Sequence, residues 1–457
     1  MQKGPQKPPV PHRSLRAVKE FNCLGGDCPD TCCKSWRIEL DRDDYMRWRK
    51  AAKGSAETLA LFKDSVKRVR GAEKIFAQIK IEKHGDACPA YTADGLCQVQ
   101  KNHGHKTIPY ICQLYPRTPI HVGQSVVNTG SFSCPELART LLLTENGTDI
   151  VEHEESYEQS FRAMRRLPRE SQGNWLNFQP EIAEACRFLA SESAEGRPLD
   201  QRLFMVAMLL DSIDAINPDI DLYALSRCIA PFGDAAYRAE AANVYCGLDV
   251  SATPVATQLI YTVFAAAGHA DRDGSAPFWA DITACYQHLA GVKMSVGKDA
   301  VMNMQTSDVL VQAVQARRTA VAARFGARLD TVQTRFMKTQ LFADTEDSDR
   351  DPVQCFLRHI SLLLLFDFAV CSHRALDDTL QKAEADIDDA DWARFDEVVV
   401  ESAYKLGRVV LHQGPTIEKL NASLANQSMS LLALIATLLK HLDATPAVEA
   451  ADEAQVA

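Results

Sequence analysis

The sequence predicts a predominantly α-helical protein, with a small cysteine-rich α+β metal-binding module followed by a large helical region. Three observations carry that reading. Eight of the 14 cysteines lie between Cys23 and Cys134. Short alternating segments broken by Gly and Pro occupy the same stretch. From Glu136 to about Asp443, almost every segment carries apolar residues at helical spacing. Apolar residues make up 46% of the 457 and charged residues 24%, the composition of a folded chain. Residues 1–140 hold 23 Lys+Arg against 14 Asp+Glu, and the remainder 27 against 46. Neither excess is large enough for a dedicated nucleic-acid binder, whereas an acidic or mixed protein partner suits it.

Taken in order, residues 1–20 are Pro/Lys-rich, lack the apolar stretch of an export signal and read as a flexible leader. The module follows over residues 21–143. Trp36–Leu40 alternates as a short strand, and Asp41 is placed to cap a helix. Glu57–Val69 has helical character, and Ile75–Ile81 puts Ile75, Ala77, Ile79 and Ile81 on one face of a strand. Pro119–Val122 and Ser125–Asn128 flank Gly123-Gln124 as a hairpin. The helical region spans residues 144–443. Segments with helical spacing are Glu136–Leu143 at the end of the module and then Ser156–Leu167, Glu181–Ala190, Leu199–Ile213, Pro254–Ala267, Asp308–Arg328, Pro352–His373, Asp391–His412 and Thr416–His441. The Ala/Glu-rich tail, residues 444–457, reads as disordered. The longest apolar run, Ile360–Phe366, is far short of the roughly 20 residues of a membrane span. The expectation is an intracellular, cytoplasmic protein with no membrane or nucleic-acid partner.

The cysteines divide by context. Cys186, Cys228, Cys246, Cys285, Cys355 and Cys371 sit singly in helical apolar surroundings and read as small core hydrophobes. The other eight form two arrays, Cys23-x4-Cys28-x3-Cys32-Cys33 and then Cys88, Cys97, Cys112 and Cys134. A reducing compartment disfavours disulfides, and gathered thiolates are soft metal ligands. The second array has no Cys-x2–4-Cys knuckle of the kind structural zinc prefers. Irregular spacing with Gly25, Gly26, Pro29, Pro89 and Pro135 alongside suits an iron–sulfur cluster, 4Fe–4S above all, whose negative charge turn N–H groups can face. Zinc and redox-active thiols stay as alternatives. Adjacent side chains diverge in regular structure, so Cys32 and Cys33 are expected to serve different roles. His103-Gly-His105 resembles a metal pair but lies in a Lys-rich loop where solvation is the plainer reading. The stripe Leu203/Val206/Met208/Leu209 reads as core.

Residues 21–143 resemble the flagellin lysine-N-methylase (FliB-like) family, related to YkgJ-type cysteine-rich proteins that chelate iron or zinc. The words that carry the resemblance are FNCLGGDCPDTCCKSWRIELD, CPAYTADGLCQVQ, ICQLYPR and SCPELARTLLL, with both cysteine arrays in family order. Gln98-Val-Gln-Lys departs from the family's aromatic or histidine after Cys97. The resemblance implies methyl transfer from S-adenosylmethionine to lysine amines of flagellin, with an iron–sulfur centre held by the eight cysteines. Neither a Rossmann-type Gly-rich turn nor the Cys-x3-Cys-x2-Cys of radical S-adenosylmethionine enzymes is present, so any donor site is unconventional.

Such chemistry needs a neutral lysine amine, although lysine titrates near 10.4 in water. Tyr115 and Asp30 are the candidate catalytic residues: Tyr115 to orient or deprotonate the amine, Asp30 as a carboxylate partner. Trp36 and Arg117 are the candidate donor-binding residues, by stacking on adenine and by a bidentate grip on a carboxylate. Each has a plain structural alternative: packing, a turn, core burial and a salt bridge. Asp41 is a second possible carboxylate partner, with helix capping as its local reading. Two other functions compete with the methyltransferase: a zinc-stabilised non-catalytic interaction protein, and an iron–sulfur redox or maturation factor.

Overall fold

Strand pairing over more than a hundred residues organises the N-terminal part. The computed structural model describes residues 9–34, 38–71, 75–81, 87–122, 125–155, 165–167, 175–191, 196–217, 220–248, 308–343, 352–408 and 430–442. Trp36, Cys285, the segments 156–164, 254–267, 409–412 and 416–429, and the tail 444–457 lie outside them. The chain divides into two compact units. One comprises Met1–Ser171, Ala267–Asp281 and Val399–Gly414; the other comprises Gln172–Ala266, Ile282–Val398 and Pro415–Ala457.

In the first unit β1 (Val10–Leu15) is an interior strand of a five-stranded sheet. It lies between β7 (Ile150–Glu155), antiparallel, and β6 (Ser125–Gly130), parallel. The sheet continues through β5 (Arg117–Val122) to β8 (Arg165–Leu167). The flexible-leader reading is therefore corrected for residues 10–20. Leu15 and Val18 are wholly buried, and α1 (Arg16–Lys19) follows the strand directly. The correction has a physical cause: the pairing partners of β1 stand more than a hundred residues away, and local composition carries no trace of them. The expected hairpin is present, with Val122 opposite Ser125. Arg165–Leu167, expected in a helix, pairs instead in parallel with β5.

A second sheet has the order β2 (Glu39–Leu40), β4 (Ala77–Ile79), β3 (Val66–Arg68), all antiparallel. Asp41 caps α2 (Arg42–Ala52), accepting the Asp44 N–H at 2.7 Å. Ser55 caps α3 (Ala56–Ser65), which ends where β3 begins, four residues before the expected end at Val69. These elements enclose one apolar cluster built on Ile38, Leu40, Trp48, Phe62, Ile79 and Val99. Three short helices carry cysteines or follow them: α4 (Gln98–His103), α5 (Tyr110–Leu114) and α6 (Pro135–Leu143). Pro135 occupies the first turn of α6, where its missing N–H costs nothing.

The second unit is helical. It contains α7 (Gln179–Leu189), α8 (Leu199–Asp214), α9 (Leu222–Ile229) and α10 (Ala235–Cys246). Then come α11 (Asp308–Ala343), α12 (Pro352–Cys371), α13 (Asp389–Leu406) and α14 (Leu431–Leu439), the last eight residues of α13 counting with the first unit. α8 packs against α10, α12 and α14, and of the expected core stripe Leu203, Val206 and Leu209 are fully buried while Met208 is only partly so. Among the described residues one helix, α12, is long and apolar enough to cross a membrane; 89% of its most apolar stretch is buried inside the protein, as in a core helix. Cys186, Cys355 and Cys371 are core residues, whereas Cys246 is exposed at the end of α10. Arg318 and Asp367 form a buried pair, with Gln333 Nε2 donating to Asp367 at 2.6 Å and Arg318 donating to the Leu442 carbonyl at 2.7 Å.

Candidate functional site

All described cysteines are free thiols. The eight of the N-terminal arrays share one unit but not one cluster. Cys33, Cys88, Cys97 and Cys112 pack in or against the apolar cluster. The Cys88 N–H donates to the Cys33 carbonyl at 2.7 Å, and Tyr91 bridges to Cys97. Every pair among these four is electrostatically linked, each negative sulfur disfavouring the next. Burial is the larger cause: it pushes Cys88 up to about 12, Cys112 well above its usual range, and Cys97 upward.

Cys23, Cys28 and Cys134 form a second group in the same electrostatic sense. Cys28 Sγ donates to the Asp30 carbonyl at 2.9 Å, and the Gly25 N–H points at Cys23 Sγ at 3.4 Å. Cys134 is the N-cap of α6. Burial raises it to about 11, while the N–H groups of Leu137 and Glu136 pull the other way by favouring the thiolate. Cys32 stands between the groups, linked to Cys33 and Cys112 on one side and Cys23 on the other. Its thiol bonds to Cys33, lowering Cys33 to about 7 and driving Cys32 itself upward. The expected divergence of these neighbours is not what the structure has: the two thiols meet, although Cys33 packs against the apolar cluster and Cys32 is exposed.

The arrays meet through glycines. A Cβ on Gly26 would stand 2.7 Å from the Asp94 carbonyl oxygen, and one on Gly95, whose φ is +79°, would stand 2.9 Å from Gly26 Cα. The loop Cys23–Cys28 and the loop Cys88–Cys97 are thus in backbone contact that a side chain would prevent. α5, which carries Cys112, is held from α2: Asp44 Oδ1 accepts the Tyr110 N–H at 3.1 Å, and Arg47 donates to the Ile108 carbonyl at 3.2 Å.

The predicted site residues fall as follows. Tyr115 Oη and Ser133 Oγ are 3.1 Å apart, and Ser133 Oγ lies 2.7 Å from Ser131 Oγ. Burial, then the negative field of Cys134, raises the Tyr115 pKa. The phenol therefore stays protonated near neutral pH, which suits orientation and opposes a base role. Asp30 is ion-paired with Arg408. Arg117 donates to the Val18 and Phe21 carbonyls at 3.2 and 2.9 Å and lies over the Phe21 ring, tying down the chain before Cys23. Asp41 is occupied as a cap, and His105 is exposed. Sequence reasoning missed Asp44, Ser133 and Arg408. Asp44 stands in the acidic first turn of α2, a pattern that signals a helix start but not the α5 partner; Arg408 has no local signal at all.

The donor set fits a thiophilic metal centre in kind: eight reduced sulfurs, with Cys88 and Cys134 buried, Cys23 and Cys32 exposed and the others partly buried, and with turn and helix N–H groups facing several. Among the described residues, no three His, Cys, Asp or Glu side chains are already drawn into a cage.

Fold and site together define a unit that carries two cysteine arrays and a second unit that is helical. The chain is 30% identical over 125 residues to the flagellar biosynthetic protein FliU of Salmonella muenchen, a stretch that covers 27% of this chain and 73% of that protein. It is also 30% identical over 125 residues to the lysine-N-methylases of Salmonella typhimurium and Salmonella choleraesuis, and spans 31% of their length. The chain belongs to the flagellin lysine-N-methylase family, of the FliB and FliU type. No protein-family profile and no solved structure matches it.

Proposed function

We propose that the protein is an S-adenosylmethionine-dependent lysine N-methyltransferase that modifies flagellin in the cytoplasm, before export, and carries a thiolate-held iron–sulfur centre, 4Fe–4S in type. The observation that carries this reading is the family relationship to lysine-N-methylases in a chain whose eight arrayed cysteines share one unit. Cys33, Cys88, Cys97 and Cys112 form the deeper ligand set; Cys23, Cys28 and Cys134, with Cys32 between, form the set nearer Tyr115.

A bound cluster with an open iron position would supply a Lewis-acidic point for the donor's amino and carboxylate groups. The rest is the work of this chain's own side chains. A substrate lysine brought beside the half-buried Tyr115 and the buried Ser133 leaves bulk water, and desolvation lowers its pKa so that the neutral amine can attack. The Tyr115 hydroxyl orients that amine as a hydrogen-bond partner, and in-line placement contributes several kcal/mol of barrier lowering. Asp30 is held by Arg408 and so shapes the site. The acidic helical region would attract a lysine-bearing partner.

The test is transfer of labelled methyl from S-adenosylmethionine to flagellin lysines by anaerobically purified protein, alongside iron and sulfide analysis. Label on flagellin with stoichiometric iron and sulfide is expected; iron-containing protein that transfers no label would overturn the reading. The competing reading is a zinc-held interaction module, favoured by the four cysteines at the apolar cluster. It predicts zinc without sulfide in the same analysis.

A further inference from the structure

Arg408 reaches the cysteine arrays from 378 residues away. Its guanidinium pairs with the Asp30 carboxylate and donates to the Asp30 and Thr31 carbonyls at 3.4 and 3.3 Å. Its Nε donates to the Ser133 carbonyl at 3.0 Å. Asp30 and Thr31 lie in the loop from Cys28 to Cys32, and Ser133 immediately precedes Cys134. We propose that Arg408 is the positioning residue of the cysteine site: it locks the Cys28–Cys32 loop to the residue before Cys134, so that two sulfurs from different arrays are held as one centre.

Three independent features support this. A half-exposed ion pair alone contributes little, but here one planar fork also serves three main-chain carbonyls from two separate loops, a task suited to Arg and not to Lys. Second, the preceding residue is built for close approach. A Cβ on Gly407 would stand 2.6 Å from the Ser133 nitrogen and 2.8 Å from the Phe132 carbonyl carbon. Contacts with main chain cannot be relieved by a rotamer change, so position 407 needs glycine for Arg408 to reach its partners. Third, the clamp continues to the candidate substrate-orienting group. Ser133, whose carbonyl accepts from Arg408, bonds through its hydroxyl to Tyr115. The Tyr404 ring, one turn earlier in α13, lies 5.3 Å from the guanidinium carbon and supports it from the helix side.

The inference rests on the proposed reading that these cysteines form the functional centre, yet its test needs neither donor nor flagellin. Full-length protein, purified anaerobically, is pulsed with iodoacetamide, and alkylation at Cys28, Cys134 and Cys88 is followed by peptide mass spectrometry. Arg408→Ala should raise labelling at Cys28 and Cys134 by about tenfold or more, the change that follows when charge-assisted hydrogen bonds closing a local unit are lost. Cys88, in the other group, should keep its wild-type rate. Added guanidinium ion should restore protection in Arg408→Ala, and Arg408→Lys should fall between wild type and Ala. Gly407→Ala, which leaves all charges in place, should open the same two cysteines. Unchanged rates at Cys28 and Cys134 in both variants would overturn the clamp, and so would an equal rise at Cys88. If methyl transfer is absent but the labelling pattern appears, the functional reading fails and the clamp stands.

Discussion

α12 in the helical unit buries 18 of its 20 residues, and Phe366 stacks on Phe336 of α11 at 4.7 Å. In the N-terminal unit, the cluster beside the second cysteine array is lined by Ile38, Leu40, Trp48, Phe62 and four thiols. One unit gathers its stability from a large apolar interior; the other places thiols where additional aliphatic groups would otherwise go. A buried thiol packs as a small hydrophobe until a metal makes it a ligand. The two units should therefore answer differently to metal, to core substitution and to pH.

The largest effect separates them by metal. On the proposed reading, Cys112→Ser should lose most bound metal and unfold the N-terminal unit, since structural metal sites contribute on the order of 10 kcal/mol, comparable with a whole domain's stability. The helical signal in circular dichroism should largely persist. A variant with full metal content by elemental analysis would break the comparison. Next, Asp367→Ala leaves the Arg318 guanidinium buried without its carboxylate. It should cost the helical unit about 3–5 kcal/mol in denaturant unfolding, with thiol labelling at Cys28 and Cys134 unchanged.

The third effect is on pH. His441 is wholly buried, and desolvation lowers its pKa from 6.5 to about 4. The folded unit keeps this ring neutral while the unfolded chain charges it. Its contribution is therefore complete above pH 6.5 and is lost as pH falls towards 4, about 3 kcal/mol in all. His441→Gln should flatten that slope in unfolding curves taken across the window, and an unchanged slope would locate the acid sensitivity elsewhere. The smallest effect sharpens the N-terminal side. Asp41→Ala removes the α2 cap and should cost about 1 kcal/mol, read as a shift in the N-terminal unit's melting transition. A shift several times larger would show that Asp41 does more than cap.

Much of the local architecture was legible in residue order. The Asp41 cap, the helix over Glu136–Leu143, the hairpin of Pro119–Val122 with Ser125–Asn128 and the helices at Leu199–Ile213 and Pro352–His373 all obey rules acting within a few residues, and each is present. The eight sulfurs were legible as a set because thiols gathered in one stretch are chemically conspicuous. Their division into groups was not, and neither was the occupation of Asp30, Asp41 and Arg117 by structural partners.

By itself, the sequence determined the helical character of the long C-terminal region, the identity of the soft donor atoms and the family to which the chain belongs. Only tertiary structure decided that Val10–Leu15 is an interior strand, that Gly26 and Gly95 press two loops together, and that Arg408 bonds to Asp30, Thr31 and Ser133 beside two cysteine arrays. Periodicity and capping are local energies that any four-residue window displays. Pairing and burial across a hundred to four hundred residues depend on which surfaces meet, and no local window contains both surfaces.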